Sequence, residues 1–253
     1  MKLQHLFITI IALTFFNCKQ DTWQLKRIQG EQININDTLQ ADAEIEAFIK
    51  PYREHVNKDL DSVLSYAVAT YSKSDGEFNT AIGNLFADAV YEQSNPVFFK
   101  RTGKNIDMVL LNHGGIRAII SKGPVTSRTG FEIMPFENSI VVVGIKGSQI
   151  NDMTNYLSKA KRAHPIAKLH LVLDVDYNVK EADISGEAID TTRTYYVATN
   201  DYLYSGGDHM TFFQPEESLH ILDYKIRNAL IDYFKQTDTI KPVIDNRFIK
   251  LKN

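Results

Sequence analysis

Two periods of apolar recurrence run along this chain. Ile45, Phe48, Ile49, Tyr52 and Val56 recur at the spacing of an α-helix and predict one starting near Ala41, with Pro51 placed to kink or end it. Val63–Tyr71, rich in Val, Ala and Tyr, predicts a strand. Ile82, Leu85, Phe86, Ala89 and Val90 fall on one face of a second helix that Asn79 is suited to cap. Met108–Leu111 is a short apolar run ending at Asn112 and predicts a buried strand. Thr126–Met134 predicts a short helix, and Ser139–Ile145 a Val-rich strand. Ser148 is a candidate cap for a helix carrying Ile150, Met153 and Leu157. Leu169–Tyr177 alternates, Tyr195–Ala198 and Leu219–Leu222 read as strands, and Phe248–Leu251 as a last edge strand. Ile226, Leu230, Ile231 and Phe234 mark a late helix. Helices and strands mix without a strict βα repeat. The expectation is an α+β fold, a mixed sheet with packed helices, in one domain over residues 41–253.

The N-terminal pattern differs. Leu6 to Phe16 is apolar apart from Thr9 and Thr14, follows Lys2, and is shorter than the roughly 20 residues that span a bilayer. Residues 1–18 therefore read as a signal peptide. Cys18, the only cysteine, falls just after the apolar run. It resembles the lipid-modified cysteine of bacterial lipoproteins, although Asn17 stands where a small residue is usual; the alternative is a plain secretory signal with an incidental Cys. The lipoprotein reading implies export, lipidation at Cys18, and membrane anchoring that faces the periplasm or the cell surface. Residues 19–40 are polar and weakly periodic, and read as a flexible tether.

Composition adds limits. The 253 residues are 43% hydrophobic and 23% charged, with 14 Phe and 12 Tyr to build a core. Net charge is −3 with no basic run, which argues against binding a nucleic-acid backbone.

Three segments carry candidate chemistry. Asn112-His113-Gly114-Gly115-Ile116-Arg117 follows a predicted strand. Its glycines allow close approach to the main chain, and Arg117 offers a planar fork to a phosphate or carboxylate. Pro135-Phe136-Glu137-Asn138 places a ring and an amide just before another strand. Thr199 to Asp208 sets Tyr202 six residues before Asp208, with Gly206-Gly207 between them, so a turn can return the carboxylate toward the ring. Alone, each segment reads better as something plain: a tight turn with a surface Arg, a core plug, and a Gly-Gly turn in which Asp208 caps an amide. Together they supply two rings, a guanidinium, two amides and a carboxylate, a set suited to a base, a sugar and a phosphate.

In order and spacing the three segments resemble the C-terminal, substrate-binding domain of the 5′-nucleotidase family, which includes UDP-sugar hydrolases. The likeness runs from about residue 65 onward. It is supported by Ile82-Gly83-Asn84-Leu85-Phe86-Ala87-Asp88-Ala89, by Phe136 to Ile150, and by Tyr196-Val197-Ala198-Thr199-Asn200. The resemblance implies that Phe136 and Tyr202 sandwich a base, that Asn112 and Gly115 lie beside the nucleotide, and that Arg117 holds phosphate. It also implies that Asp208 takes ribose hydroxyls and that Asn138 contacts the base. A further arginine usual in the family before the Gly-Asn-Leu helix is absent, since Ser74-Asp75-Gly76-Glu77-Phe78 stands there. Lys73 is the nearby cation that remains.

Hydrolysis in the family takes place on two metals in a separate metallophosphatase domain. This sequence has no Asp-x-His, Gly-Asn-His or His-x-His, so no catalytic residue and no metal or other cofactor are expected in the chain itself, and divalent metals are expected in a partner phosphatase. Three other sites have weaker claims. Asp174 and Asp176 could pair on one strand face, His113 and His209 could converge as an acid–base pair, and Ser148 and Ser205 lack a nucleophile-elbow context. The leading expectation is the nucleotide-recognition half of a split 5′-nucleotidase. The alternatives are a non-catalytic nucleoside- or nucleotide-binding surface lipoprotein, and an adhesive lipoprotein with a decayed pocket.

Overall fold

The structure is a computed structural model that describes residues 24–36 and 38–252. The segment Leu6–Phe16 and Cys18 lie outside the described residues. Contacts divide the chain into two units, Met1–Ile49 and Lys50–Asn253. In the first, the described residues form neither helix nor strand until α1 (Ala43–Leu60), which Asp42 caps by accepting from the amides of Glu44 and Ile45 at 2.9 and 3.1 Å. The helix runs through Pro51 without ending and extends into the second unit. Its periodic apolar residues, Ile45, Phe48, Tyr52 and Val56, are exposed.

The second unit is built on a five-stranded sheet. Its members are β2 (Met108–Leu110), β4 (Ser139–Lys146), β5 (Ile166–Ala167), β9 (Thr194–Asn200) and β10 (Ser218–Lys225), in the order β10-β4-β9-β2-β5. β2 and β9 are parallel and the other pairs antiparallel, so the sheet is mixed as expected. Both faces are buried. On β4, Ile140 and Val142 face one core while Val141, Val143 and Ile145 face the other. A strand covered on both sides must be apolar throughout, which is why Ser139–Ile145 reads as a continuous Val-rich run.

One core is closed by α2 (Ala81–Thr102) and α6 (Ile226–Gln236), through residues that include Ile82, Phe86, Leu230 and Phe234. The other is closed by α4 (Gly147–Ala160) and by a four-stranded sheet. That sheet comprises β6 (Leu169–Leu173), β7 (Val179–Ile184), β8 (Glu187–Ala188) and β12 (Phe248–Lys250), in the order β12-β6-β7-β8. A small third sheet joins β1 (Val63–Ala67), β3 (Gly123–Thr126) and β11 (Thr239–Ile240). α3 (Ser127–Ile133) follows β3, and Thr126 caps it by accepting from the Thr129 amide.

Two caps differ from expectation. Thr80, not Asn79, caps α2, its Oγ1 accepting from the Gly83 amide at 3.1 Å. Asn79 is drawn instead to distant backbone, donating to the carbonyls of Asp245 (3.0 Å) and Phe248 (2.8 Å). Asn84 joins it, donating to Asn79 Oδ1 and to the Val243 carbonyl. Asp88 accepts from Arg247. The Gly83-Asn84…Asp88 pattern thus locks the C-terminal segment onto α2. Ser148 lies inside the first turn of α4, because Lys146 occupies the cap position, its amide donating to Gln149 Oε1, and the helix starts two residues earlier than a Ser148 cap would place it.

β6 stops at Leu173, four residues before the predicted strand end. Asp174 there closes a turn, accepting from the amides of Asp176 and Asn178. Asp174 and Asp176 are therefore turn residues, not paired carboxylates on a strand face.

Candidate functional site

Strand topology brings the three segments to one end of the central sheet. β2 and β9 run parallel, so the segments that follow them, Asn112–Arg117 and Asp201–Asp208, leave the same edge. β4 is antiparallel to β9, with Ile140 opposite Asn200, so the residues preceding β4 arrive there too. Ligands favour this location in sheets with parallel strands.

Asn112, Gly115, Arg117, Phe136, Asn138, Tyr202 and Asp208 all line one pocket of about 410 Å³, together with Gly114. That volume lies within the range of small-molecule sites. Phe136 and Tyr202 are 43% and 46% exposed, and neither packs on another aromatic ring among the described residues. Lys73 is not among the lining residues.

Each lining side chain has a local cause. Residues His113–Gly115 form a single 3-10 turn under the Asn112 side chain. A Cβ on Gly115 would stand 3.1 Å from Asn112 Oδ1, so glycine lets the amide fold over the turn. Asn112 Oδ1 also accepts from Asn200 Nδ2 at 3.3 Å, while Asn200 Oδ1 caps α5 (Asp201–Tyr204) through the Leu203 amide at 2.7 Å. Asp201 fixes the Phe136 side of the pocket. Its carboxylate accepts from Asn138 Nδ2 (2.9 Å), the Ser139 amide (3.1 Å) and the Tyr202 amide (2.9 Å). Asn138 thus commits one of its two N–H donors to Asp201, and the rest of its amide keeps both donor and acceptor capacity.

Arg117 is exposed, with its guanidinium carbon 5.8 Å from the Phe136 ring centre and one long bond, 3.4 Å, to the Gly114 carbonyl. Arg128, Arg193, Arg227 and Arg247 all pair with carboxylates, whereas Arg117 has no carboxylate partner among the described residues.

Asp208 and Tyr202 are coupled. The Tyr202 hydroxyl donates to Asp208 Oδ1 at 2.9 Å and accepts from the Asp208 amide at 3.3 Å. The carboxylate beside it holds the phenol pKa above its ordinary value. Gly206 has φ +89°, and Asp208 and His209 follow at +51° and +61°, a left-handed run that non-glycine residues adopt at some cost. Tyr156 secures this turn by donating to the Asp208 carbonyl at 2.8 Å. Gly207 packs against the Tyr202 ring, so closely that a Cβ there would come within 2.5 Å of Cε1.

A second cavity of about 520 Å³ adjoins the first, sharing Gly114 and Asp208 as walls. His113 and His209 both line it, and it also holds Lys159, Arg162 and His164, which the sequence reading did not single out. Their one signal was the run of cations at the end of α4, Lys159, Lys161 and Arg162. His164 is 5% exposed, and its Nδ1 accepts from the His113 amide at 3.3 Å. Burial pulls its pKa from 6.5 down to about 4, so the ring is neutral near pH 7.

Among the described residues no group of three or more His, Cys, Asp or Glu could hold a metal ion. The 410 Å³ pocket offers one carboxylate, amides and a guanidinium, a donor set that does not fit a pair of divalent cations. Among the same residues no helix is long and apolar enough to cross a membrane.

Comparison with known proteins agrees with the fold. Residues 62–215, more than half of the chain, match the family described as 5′-nucleotidase, C-terminal domain, and the chain belongs to that family. Over 222 residues it is 26% identical to a cell wall protein of Listeria monocytogenes, covering 82% of this chain and 27% of that protein. It is 28% identical over 187 residues to a trifunctional nucleotide phosphoesterase protein of Bacillus subtilis, covering 66% of this chain and 12% of that protein. The crystal structure of a 5′-nucleotidase precursor from Thermus thermophilus superposes with a TM-score of 0.69 at 23% identity, covering 82% of this chain and 43% of that one. The chain thus spans less than half the length of each.

Proposed function

We propose that this chain is the nucleotide-recognition half of a 5′-nucleotidase, with hydrolysis carried out on a separately encoded metallophosphatase. The observation behind this reading is the single pocket that gathers two exposed rings, an arginine without a carboxylate partner and the Tyr202-bound carboxylate. A base stacks between Phe136 and Tyr202, a contact worth about 1–3 kcal/mol per base in nucleic-acid complexes. Asn138 accepts from its edge, Asp208 takes the ribose hydroxyls, and Arg117 holds the phosphate by charge-assisted hydrogen bonds. Metal ions on the partner activate water and neutralise the leaving oxygen. Export, with anchoring through Cys18, places the pair outside the cytoplasm.

The test is phosphate release from AMP and from a UDP-sugar. The chain alone is expected to release none, and addition of a two-metal phosphatase that lacks its own substrate domain is expected to start release. Robust turnover by the pure chain contradicts the proposal.

One observation favours a second reading, a lipoprotein that captures nucleosides without chemistry. Among the described residues Arg117 is the only cation lining the pocket. On that reading adenosine and AMP bind alike, and Arg117→Ala changes neither. A preference for AMP that disappears in Arg117→Ala excludes it.

A further inference from the structure

The cavity beyond Asp208 has no part in the reading above. Its position follows from that reading, because Asp208 is the wall common to both cavities and is also the group assigned to the ribose hydroxyls. A nucleotide with its base between Phe136 and Tyr202 therefore presents its 2′ and 3′ oxygens to the second cavity. The 5′ end is directed to Arg117, which lines the first cavity only.

The chemistry of the second cavity is that of an anion site. Lys159 and Arg162 stand on its rim, exposed, and neither has a carboxylate partner among the described residues. His113 donates from Nδ1 to the Ala163 carbonyl at 3.1 Å, and its Nε2 has no hydrogen-bond partner among the described residues. His164 forms part of the wall, with Nδ1 taken by the His113 amide and the proton therefore on Nε2. Asp208 is the one carboxylate in the lining. Its Oδ1 is tied to the Tyr202 hydroxyl, and its backbone is held by Tyr156. Two fixed positive charges thus stand against one negative charge that is already hydrogen-bonded. The volume, about 520 Å³, exceeds the needs of a phosphoryl group and leaves room for a further substituent on it.

We propose that this second cavity binds a phosphoryl group carried on the 2′ or 3′ oxygen of the nucleotide held between Phe136 and Tyr202, with Lys159 and Arg162 as its cationic contacts. The proposal rests on the nucleotide reading of the first pocket. It makes the protein a receptor for ribonucleotides with a phosphoryl group at the far edge of the sugar. Two sources share that chemistry, the free 2′- or 3′-mononucleotide and the end of an oligonucleotide, where the group is a diester to the next nucleoside.

The test is calorimetric titration of the full chain, at low salt, with adenosine, adenosine 5′-phosphate, adenosine 2′-phosphate, adenosine 3′-phosphate and the 3′,5′-linked dinucleotide ApA, alongside the same series built on uridine. Lys159→Ala/Arg162→Ala is run in parallel; both side chains are exposed, so the double variant is expected to melt with the parent. A 2′- or 3′-phosphate is expected to bind at least tenfold tighter than the nucleoside, as charge-assisted hydrogen bonds warrant. In the double variant that ratio is expected to fall to about one, while the ratio for the 5′-phosphate stays at the parent value. ApA binding as well as the monoester marks an oligonucleotide end as the source, and monoester-only binding marks the free nucleotide. Either supports the subsite. Nucleoside binding with no gain from a 2′- or 3′-phosphate, or a gain that survives the double variant, overturns the subsite and leaves the first pocket standing. Failure of every nucleoside and nucleotide to bind overturns both.

Discussion

Replacing Arg227 with methionine is expected to destabilise the protein by about 1–2 kcal/mol and to loosen the grip on a nucleobase. Arg227 is 6% exposed and lies beneath the Phe136 segment. Its guanidinium donates to the carbonyls of Pro135 at 3.4 Å and Phe136 at 3.3 Å, and stands 4.2 Å from the Phe131 ring centre. The two carbonyl bonds are long, so each is taken below the usual range for charged donors, at roughly 1 kcal/mol. The cation–π contact contributes about as much. The ion pair with Glu137 counts for little, because that carboxylate is 69% exposed and screened by solvent. Against these gains, Arg227 Nε is buried without a partner, a cost of about 1–2 kcal/mol. Methionine keeps most of the volume and removes both sides of that balance. For a domain of this size the net loss corresponds to a melting temperature about 2–8 °C lower. Circular dichroism melts supply the stability, and a nucleoside titration reports on the ring, whose backbone carbonyl has lost its anchor. A methionine variant that melts with the parent and binds adenosine equally well would refute the positioning role.

Other outcomes follow from single contacts. Asn84→Ala is expected to cost about 2–3 kcal/mol in urea unfolding and to speed amide exchange over residues 243–248, since it breaks the bond to the Val243 carbonyl and the bond to Asn79, whose amide in turn holds Asp245 and Phe248; a loss under about 1 kcal/mol counts against the lock. His164 resists protonation in the folded chain, so the unfolded chain binds the proton first. Its contribution is complete above about pH 6.5 and is lost as pH falls toward 4, by about 2 kcal/mol at pH 5. In His164→Asn that part of the slope between pH 7 and 5 is expected to vanish, and identical slopes in urea titrations would exclude it. Gly207→Ala is expected to weaken nucleoside binding at least fivefold by pushing the Tyr202 ring and backbone aside, and unchanged affinity would separate Tyr202 from the binding face.

The helices and the central strands were legible because their apolar positions report burial directly. The runs at β2, β4 and β9 are buried on both faces, and α4 and α6 each bury one stripe, while α2 is buried all round over Ala81–Ala87 and narrows to a stripe after that. β7, with the sequence Val-Lys-Glu-Ala-Asp-Ile, carries little apolar signal and is defined by its pairing with β6. Gly123–Thr126 likewise becomes a strand by pairing with β1. The periodicity of α1 predicted its helix correctly, yet its apolar residues stay exposed, since periodicity specifies a face and not what covers it.

The pocket residues were legible because rings, glycines and a guanidinium clustered in three short segments. The residues that position them were not. Asn200 and Asp201 act through amides and carboxylates that reach across segments 60 or more residues apart, and Asn79, a residue type suited to capping, is spent on carbonyls at the other end of the chain. Such contacts depend on tertiary placement, which local propensity does not encode.

The central claim is that Phe136 and Tyr202 close on a nucleobase, and calorimetric titration of adenosine and uridine against the parent, Phe136→Ala and Tyr202→Ala tests it most directly. The account predicts measurable binding by the parent to at least one nucleoside, and a loss of about fivefold to a hundredfold in each variant. Parent-like affinity in both variants, or no binding by the parent, would contradict it.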